Sequence, residues 1–376
     1  MFYFDHNATT PVSAEVLEAM LPVMTEVYGN ASSIHHFGQA ARQKLDDARR
    51  QVAALLGATP EEIVFTSGGT EADNLAVIGT LGFKAGHAIT TTIEHPAVLA
   101  SCAQLESVTR VEVDSRGLVD PEDIRRALRP DTKIVSVMHA NNELGVIQPL
   151  KEIAAIAREA GAVMHSDGVQ AAGKIPLNLA DLGVDLYSIA GHKFYAPKGV
   201  GALFVRKGTK LAAMMHGGHH ERDRRAGTEN VSGAVGLGRA AQWMIDQGPA
   251  EWSRLAALRD RLENAVLDRI PGAHVNGAGA PRTPNTSNIR FDGIDSEPLL
   301  IALDLRGFAV SSGSACSSGA QEPSHVLTAI GLTKEQAKSS IRFSLGRSND
   351  AAQLDALVEA VVDSVAHLRK LAPAYV

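Results

Sequence analysis

Asp185-Leu-Tyr-Ser-Ile-Ala-Gly-His-Lys193 places a lysine just beyond a run patterned as a buried strand, Asp185 to Ile189, and ahead of a second such run, Val200 to Val205. A lysine between two core strands needs an explanation. Burying an ammonium costs several kcal/mol or an equivalent shift in pKa, so such a side chain is paired, deprotonated or covalently modified. A neutral amine is what Schiff-base chemistry requires. The alternative is a loop lysine whose aliphatic stem carries its charge out to water.

Upstream, Ala162-Val-Met-His-Ser-Asp167 reads as a short apolar strand ending in a carboxylate, with Gln170 three residues further on. In an α/β sheet, ligands sit at the C-terminal ends of the strands, where an aspartate can keep a pyridine nitrogen protonated. Aspartate followed by lysine at this remove is the arrangement of a pyridoxal phosphate site, although spacing alone does not separate it from a chance pair.

The sequence around these two segments predicts an α/β fold. From Glu62 to Arg206, short β-rich runs alternate with helical patterns: Ile63 to Thr66, Ala88 to Thr92, Val108 to Val113, Lys133 to Met138, Ala162 to Asp167, Asp185 to Ile189 and Gly201 to Arg206. That alternation predicts a mostly parallel seven-stranded sheet. Asp120-Pro121 offers a helix cap and first-turn proline, and Leu150, Ile153, Ala154 and Ala157 share one helical face. Beyond Gly248 the texture changes to a long helical pattern around Leu255 to Leu267 and then a Gly/Pro/Asn-rich stretch, Pro271 to Asn288. A large domain over 13–248 and a smaller α+β domain made of 1–12 and 249–376 are expected. The last helix is amphipathic through Leu354, Leu357, Val358, Val361, Val362 and Val365, with Ser348 and Asn349 as its capping candidates.

Composition narrows the function. With 376 residues, 45% hydrophobic and 21% charged, the chain has the balance of a soluble enzyme. A net charge of -6 without a dense basic run disfavours nucleic acid. Phe2-Tyr3-Phe4 is too short for a signal-peptide core, and no apolar run reaches membrane-spanning length, so a cytoplasmic protein without a membrane partner is expected. Two cysteines, Cys102 and Cys316, cannot make a disulfide framework.

Several segments carry chemistry. Thr66-Ser-Gly-Gly-Thr-Glu71 follows a strand and opens a helix, which makes either an anion cradle of backbone N–H groups or a plain glycine turn capped by Thr70. Gly236-Leu-Gly-Arg-Ala-Ala241 has a dinucleotide-like spacing without a preceding strand and reads as helix packing. His95, in Thr92-Ile-Glu-His-Pro96, ends another strand and is either a structural histidine or a catalytic imidazole. The chain has 14 histidines, including His216, His219 and His220, but no HExxH or CxxC spacing, so no metal site is expected. Cys102 reads as a small core residue. Cys316, within Ser311-Ser-Gly-Ser-Ala-Cys-Ser-Ser-Gly319, is either an inconsequential loop cysteine or an accessible, mobile thiol.

Together these segments resemble the cysteine desulfurases of the nitrogen-fixation and iron-sulfur-cluster type, within the class V aminotransferase family of fold type I pyridoxal phosphate enzymes. The resemblance runs almost end to end: Asp5-His-Asn-Ala-Thr-Thr10, Gly29-Asn30, Thr66 to Glu71, Glu94-His95, Met138-His-Ala-Asn-Asn-Glu-Leu-Gly145, Gly191-His-Lys193, Gly227-Thr-Glu-Asn230, Ser311 to Cys316 and Ser340-Ile-Arg-Phe-Ser-Leu-Gly346 stand in the family's order. It implies that Lys193 holds pyridoxal 5'-phosphate covalently and later moves the substrate Cα proton. Asp167 is implied to pair with the pyridinium nitrogen, Gln170 to bond the phenolic oxygen, and His95 to stack on the ring and act as acid or base. Gly69, Thr70 and His192 are implied to hold the phosphate, joined by Thr228 from the other subunit. Arg342 is implied to clamp the substrate carboxylate, Asn142 to contact both the cofactor ring and the substrate, and Asn7 to contact the substrate.

The implied reaction is conversion of L-cysteine to L-alanine by a homodimer, with the sulfur left on Cys316 as a persulfide for an acceptor such as an iron-sulfur scaffold protein. A selenocysteine lyase of the same fold and a non-catalytic sulfur-relay protein are the alternatives. One position departs from the pattern: Ala190 stands where housekeeping relatives usually have a phosphate-binding serine. Weaker anchoring of the cofactor is expected, with Ser188 one pleat away and not expected to substitute.

Overall fold

The architecture was obtained as a computed structural model, which describes residues 1–82, 86–313 and 323–371. Seven strands form the central sheet: β1 (Ile63–Thr66), β2 (His87–Thr91), β3 (Ser107–Val111), β4 (Thr132–Ser136), β5 (Val163–Asp167), β6 (Leu186–Ala190) and β7 (Gly201–Val205). Their spatial order is β1-β7-β6-β5-β4-β2-β3. β7 runs antiparallel to both its neighbours, and every other pairing is parallel. The C-terminal ends of β1, β6, β5, β4 and β2 therefore open on one edge, the edge where α/β folds hold ligands.

The strands are apolar on both faces because helices cover both; β1, β2, β6 and β7 are buried at every residue. Asp120 accepts the amide of Glu122 at the head of the Pro121–Ala127 helix, at 2.9 Å, as the Asp-Pro pair predicts. In the helix Leu150–Glu159, the side that packs inward carries Leu150, Ile153, Ala154 and Ala157.

One expectation about a helix boundary changes. The texture shift at Gly248 does not end an element: a single helix spans Val231–Arg269 with Pro249 inside it. The core it packs against does change along its length. Leu237, Ala241 and Met244 belong to the main cluster under the large sheet, whereas Leu255, Leu258, Leu262 and Val266 belong to a second cluster. That second core also takes Phe4, Phe343 and Leu354, and lies on a three-stranded antiparallel sheet in which β9 (Thr286–Phe291) is flanked by β8 (Ala273–Val275) and β10 (Ser340–Ser344). The Gly/Pro/Asn-rich stretch thus contains one short strand and leads into another.

The cap of the last helix, Ala351–Leu371, also differs from expectation. Asp350 accepts from the Gln353 amide at 2.8 Å, and Asn349 is engaged elsewhere, accepting from Gly346 N at 2.8 Å and donating to Tyr3 O at 3.0 Å. Ser348 and Asn349 lie two positions and one position before that cap, because three consecutive cap-competent residues look alike before packing.

A close approach fixes the floor of the sheet edge. Gly168 follows the β5 aspartate, and a Cβ there would lie 2.0 Å from the ring of Tyr187, a fully buried side chain whose hydroxyl bonds His139 Nδ1 at 2.7 Å. Gly168→Ala should destabilise the fold by about 1–3 kcal/mol through overpacking, measured by urea unfolding of the apo-protein. An unchanged midpoint would show that the ring has room to move.

Candidate active site

At this edge the structure has a cavity of about 680 Å³. Its wall combines the helix start at Gly69 and Thr70, the strand-end Asp167, the post-strand residues His95, Asn142, Gln170, His192 and Lys193, and the distant Asp5, Asn7 and Arg342. The sequence-predicted residues Gly69, Thr70, His95, Asn142, Asp167, Gln170, His192, Lys193, Asn7 and Arg342 are thus brought together. Thr228 is not among them: it is exposed on the same protomer and does not line the cavity. Cys316 lies outside the described residues, although Ser311, Ser312 and Gly313, which lead to it, are part of the wall.

Lys193 closes a single 3-10 turn, Gly191–Lys193, that follows β6. Its Nζ donates to the main-chain carbonyls of Asn7 at 2.7 Å and Ala8 at 2.9 Å. Burial, reinforced by the Arg342 guanidinium and opposed by Asp167 and Asp5, lowers its pKa to about 8. The amine is therefore available as a neutral nucleophile near neutrality.

Asp167 ends β5 and accepts the Val169 amide at 2.9 Å. Burial raises its pKa, against the pull of His95, the Val169 hydrogen bond and Lys193. A cation seated beside it in the cavity is what would keep it ionised. His95 caps the helix Pro96–Cys102, with Nδ1 accepting from Ala97 N at 3.1 Å, so the neutral ring carries its proton on Nε2. Burial first, then Lys193 and His325, lower its pKa, while Asp167 raises it. The structural and functional readings of His95 thus coexist in one side chain. His192 is likewise held neutral, its pKa lowered to about 4 by burial and by Lys193, Lys198 and Lys174.

Arg342 enters on β10 from the second core. Its Nη2 donates to Asp5 Oδ1 at 2.6 Å and its Nη1 to Asn142 O at 2.9 Å, while its buried Nε has no partner among the described residues. The guanidinium is held rigidly and still has a donor to offer.

The chain is similar to known proteins along nearly its whole length. Residues 2–357 match the family described as aminotransferase class-V. A cysteine desulfurase of Gluconacetobacter diazotrophicus is 50% identical over 99% of this chain and 95% of its own. The protein named cysteine desulfurase IscS in Dictyoglomus turgidum is 47% identical over 99% and 96%. Among solved structures, one named NifS-like protein superposes with a TM-score of 0.90 at 37% identity, covering 97% of this chain and 99% of that one. The chain belongs to the class-V aminotransferases, among the cysteine desulfurases.

Enzymes of this family are pyridoxal phosphate dependent, and the cavity suits that group on its own chemistry. A lysine amine near neutrality, a carboxylate awaiting a cation and a helix N-terminus answer the aldehyde, the pyridine nitrogen and the phosphate. At Gly69 a Cβ would stand 2.7 Å from Val169 Cγ2, so this position admits only a bare backbone. Ala190 flanks it, its Cβ 3.5 Å from that same point, while Ser188 Oγ is bonded to His165 Nε2 at 3.0 Å inside the sheet. Ser188 is thus engaged elsewhere and leaves Ala190 without a substitute.

Asn7 takes a different role from the substrate contact the resemblance implied. Its amide nitrogen donates to Asn142 O and Thr286 Oγ1, at 3.1 and 2.8 Å, and its amide oxygen accepts from Lys174 Nζ and Asn285 Nδ2, at 2.8 and 3.0 Å. All four hydrogen-bonding positions of that amide are filled by protein, so Asn7 serves as scaffold and meets Lys193 through its carbonyl. Sequence reasoning also missed Lys174, Asp5 and the buried carboxylates Asp73, Glu94 and Glu143. Asp5, Glu94 and Glu143 sit within the family-like motifs, which was the available signal; Lys174 follows Gln170 by one helical turn's spacing.

The histidine-rich segment makes no centre of its own. His219 is exposed and pairs with Asp223 at 2.5 Å, and no cluster of metal-ligating side chains occurs among the described residues. Cys102 is buried in a small apolar cluster, its thiol pushed up to about 12 chiefly by burial. No helix among the described residues is long and apolar enough to cross a membrane.

Two outcomes are expected. Amine-reactive labelling of Lys193 in the apo-protein, followed by peptide mass spectrometry, should rise with a midpoint at about pH 8, because the reactive neutral form appears above the pKa; a midpoint at the ordinary lysine value would contradict the environment described. Ala190→Ser should tighten pyridoxal phosphate binding by about tenfold, the worth of a hydrogen bond to a charged acceptor, as read by titration of the apo-protein.

Proposed function

We propose that this chain converts L-cysteine to L-alanine and keeps the sulfur on Cys316 as a persulfide, for delivery to an acceptor protein such as an iron-sulfur scaffold. The observation that carries the reading is the Lys193 amine, lodged on two main-chain carbonyls inside a cavity that also contains Asp167 and Arg342.

Pyridoxal phosphate, when bound, supplies the electron sink that weakens bonds at the substrate Cα. Lys193 would hold it, Asp167 would face its ring nitrogen, Gln170 its phenolic oxygen, and Gly69, Thr70 and His192 its phosphate. Arg342 binds the substrate carboxylate, for which its planar fork is suited, with Asn142 beside it. The Lys193 amine would take the substrate Cα proton. His95 would face the cofactor ring, with Nε2 as its free donor. The Cys316 thiolate then attacks the substrate sulfur: an S–S bond forms as the Cβ–S bond breaks, and protonation of the remaining carbon skeleton gives alanine.

A homodimer fits both surface and site. Leu17, Leu21 and Met24 form an exposed stripe at helical spacing, 48 to 59% accessible, and Tyr28 and Phe37 extend it. A second copy laid on this face would bury it and could bring its own Thr228 to the phosphate end of the cavity. The cytoplasm is the compartment that suits a persulfide chemistry dependent on a reduced thiol.

Cys316→Ser should keep the visible absorbance of the bound cofactor and lose persulfide formation from L-cysteine, scored by alkylation and mass spectrometry. Lys193→Ala should abolish the borohydride-sensitive visible band. Persulfide still formed by the serine variant would sink the assignment of Cys316.

A further inference from the structure

Behind the cavity wall lies an amine that no step above uses. Lys174 is only 7% exposed. Its Nζ donates to Gln170 Oε1 at 2.5 Å and to Asn7 Oδ1 at 2.8 Å, and no carboxylate is among its partners. The charged groups facing it are cations, Lys193 and Arg342, and with burial as the leading cause they push its pKa well below that of an ordinary lysine. His6 lies alongside, its ring kept neutral by burial and by Lys174 itself. Both acceptors of its N–H groups are side-chain amide oxygens.

An amide held at its oxygen by a donor cannot turn over without setting its own N–H group against that donor. For Asn7, the pinned oxygen directs the nitrogen to Asn142 O and Thr286 Oγ1. For Gln170, it directs Nε2 to Asn7 O at 3.0 Å, the same carbonyl that accepts from Lys193 at 2.7 Å. Gln170 Nε2 has a second hydrogen, and Gln170 lines the cavity. The turn bearing Lys174 is itself anchored, since Trp252 Nε1 donates to Gly173 O at 2.9 Å.

We propose that Lys174 is a positioning residue for the cofactor: by holding the oxygens of Gln170 and Asn7, it fixes Gln170 with its N–H group, not its carbonyl, toward the phenolic oxygen of pyridoxal phosphate. This rests on the reading of Gln170 as the contact to that oxygen. With the amine removed, the Gln170 amide can reverse and turn a donor into a repelling acceptor.

The test is a double-mutant cycle on pyridoxal phosphate affinity, read from tryptophan emission as the apo-protein is titrated. Lys174→Met should weaken binding about tenfold in the native background, the effect of one lost hydrogen bond to a charged oxygen. In a Gln170→Ala background the same change should cost about twofold or less, because the two residues act through one contact. Lys174→Met and Gln170→Ala should also displace the visible band of the bound cofactor in the same direction. Lys174→Gln, polar and shorter, reports the same non-additivity if the methionine variant does not fold. Undiminished affinity in the Lys174 variants, or equal losses with and without Gln170, would overturn the proposal. Native protein that takes up no pyridoxal phosphate would overturn the site assignment as well.

Discussion

A lysine amine seated on two main-chain carbonyls governs the layout of this protein. Asn7 O and Ala8 O can receive Lys193 only if the N-terminal segment crosses the C-terminal edge of the sheet, and several bonds hold it there. Thr10 N donates to His192 O at 2.8 Å, and Tyr195 N donates to Thr10 Oγ1 at 2.7 Å. On the other side, Ser344 N donates to Phe4 O at 2.8 Å, and Phe4 is buried in the second core. The segment that seats the reactive amine thus also joins the small core to the large one.

Charge is distributed around this amine so that it can lose its proton. The Arg342 guanidinium is a cationic neighbour, and burial acts in the same direction. Asp5 oxygen on Arg342 balances the guanidinium without neutralising the lysine. Asp167 pulls the other way, and a ring cation beside it would satisfy that carboxylate. A site arranged like this is poised for condensation with a carbonyl and for subsequent proton movement.

The legible parts of the sequence were those with a local cause. All seven sheet strands were found to within one or two residues at each end, because apolar runs bounded by glycine and polar turns need no distant partner to be recognised. The helix through Gly248 was not foreseen as continuous: glycine and proline there signal a break, yet a Cβ at Gly248 would meet the Trp252 ring at 2.7 Å, so the glycine serves packing. Asn349 was read as a cap and is instead a tie to Tyr3 O across 346 residues. At Asn349 a distant contact overrode the local preference, whereas at Gly248 the partner is one turn along the same helix.

The sequence by itself determined where the strands lie along the chain, the residues standing at their ends and, through its motifs, the chemistry those residues carry. Each of these is written in short spacings, where period and turn chemistry act on neighbours along the chain. Only the tertiary structure decided that Arg342 meets Asp5, 337 residues away, that Asn7 is filled by protein partners, and that Lys174 pins two amide oxygens. Hydrogen-bond direction and pKa depend on which groups share a buried volume, and that is settled when the two cores pack together, not along the chain.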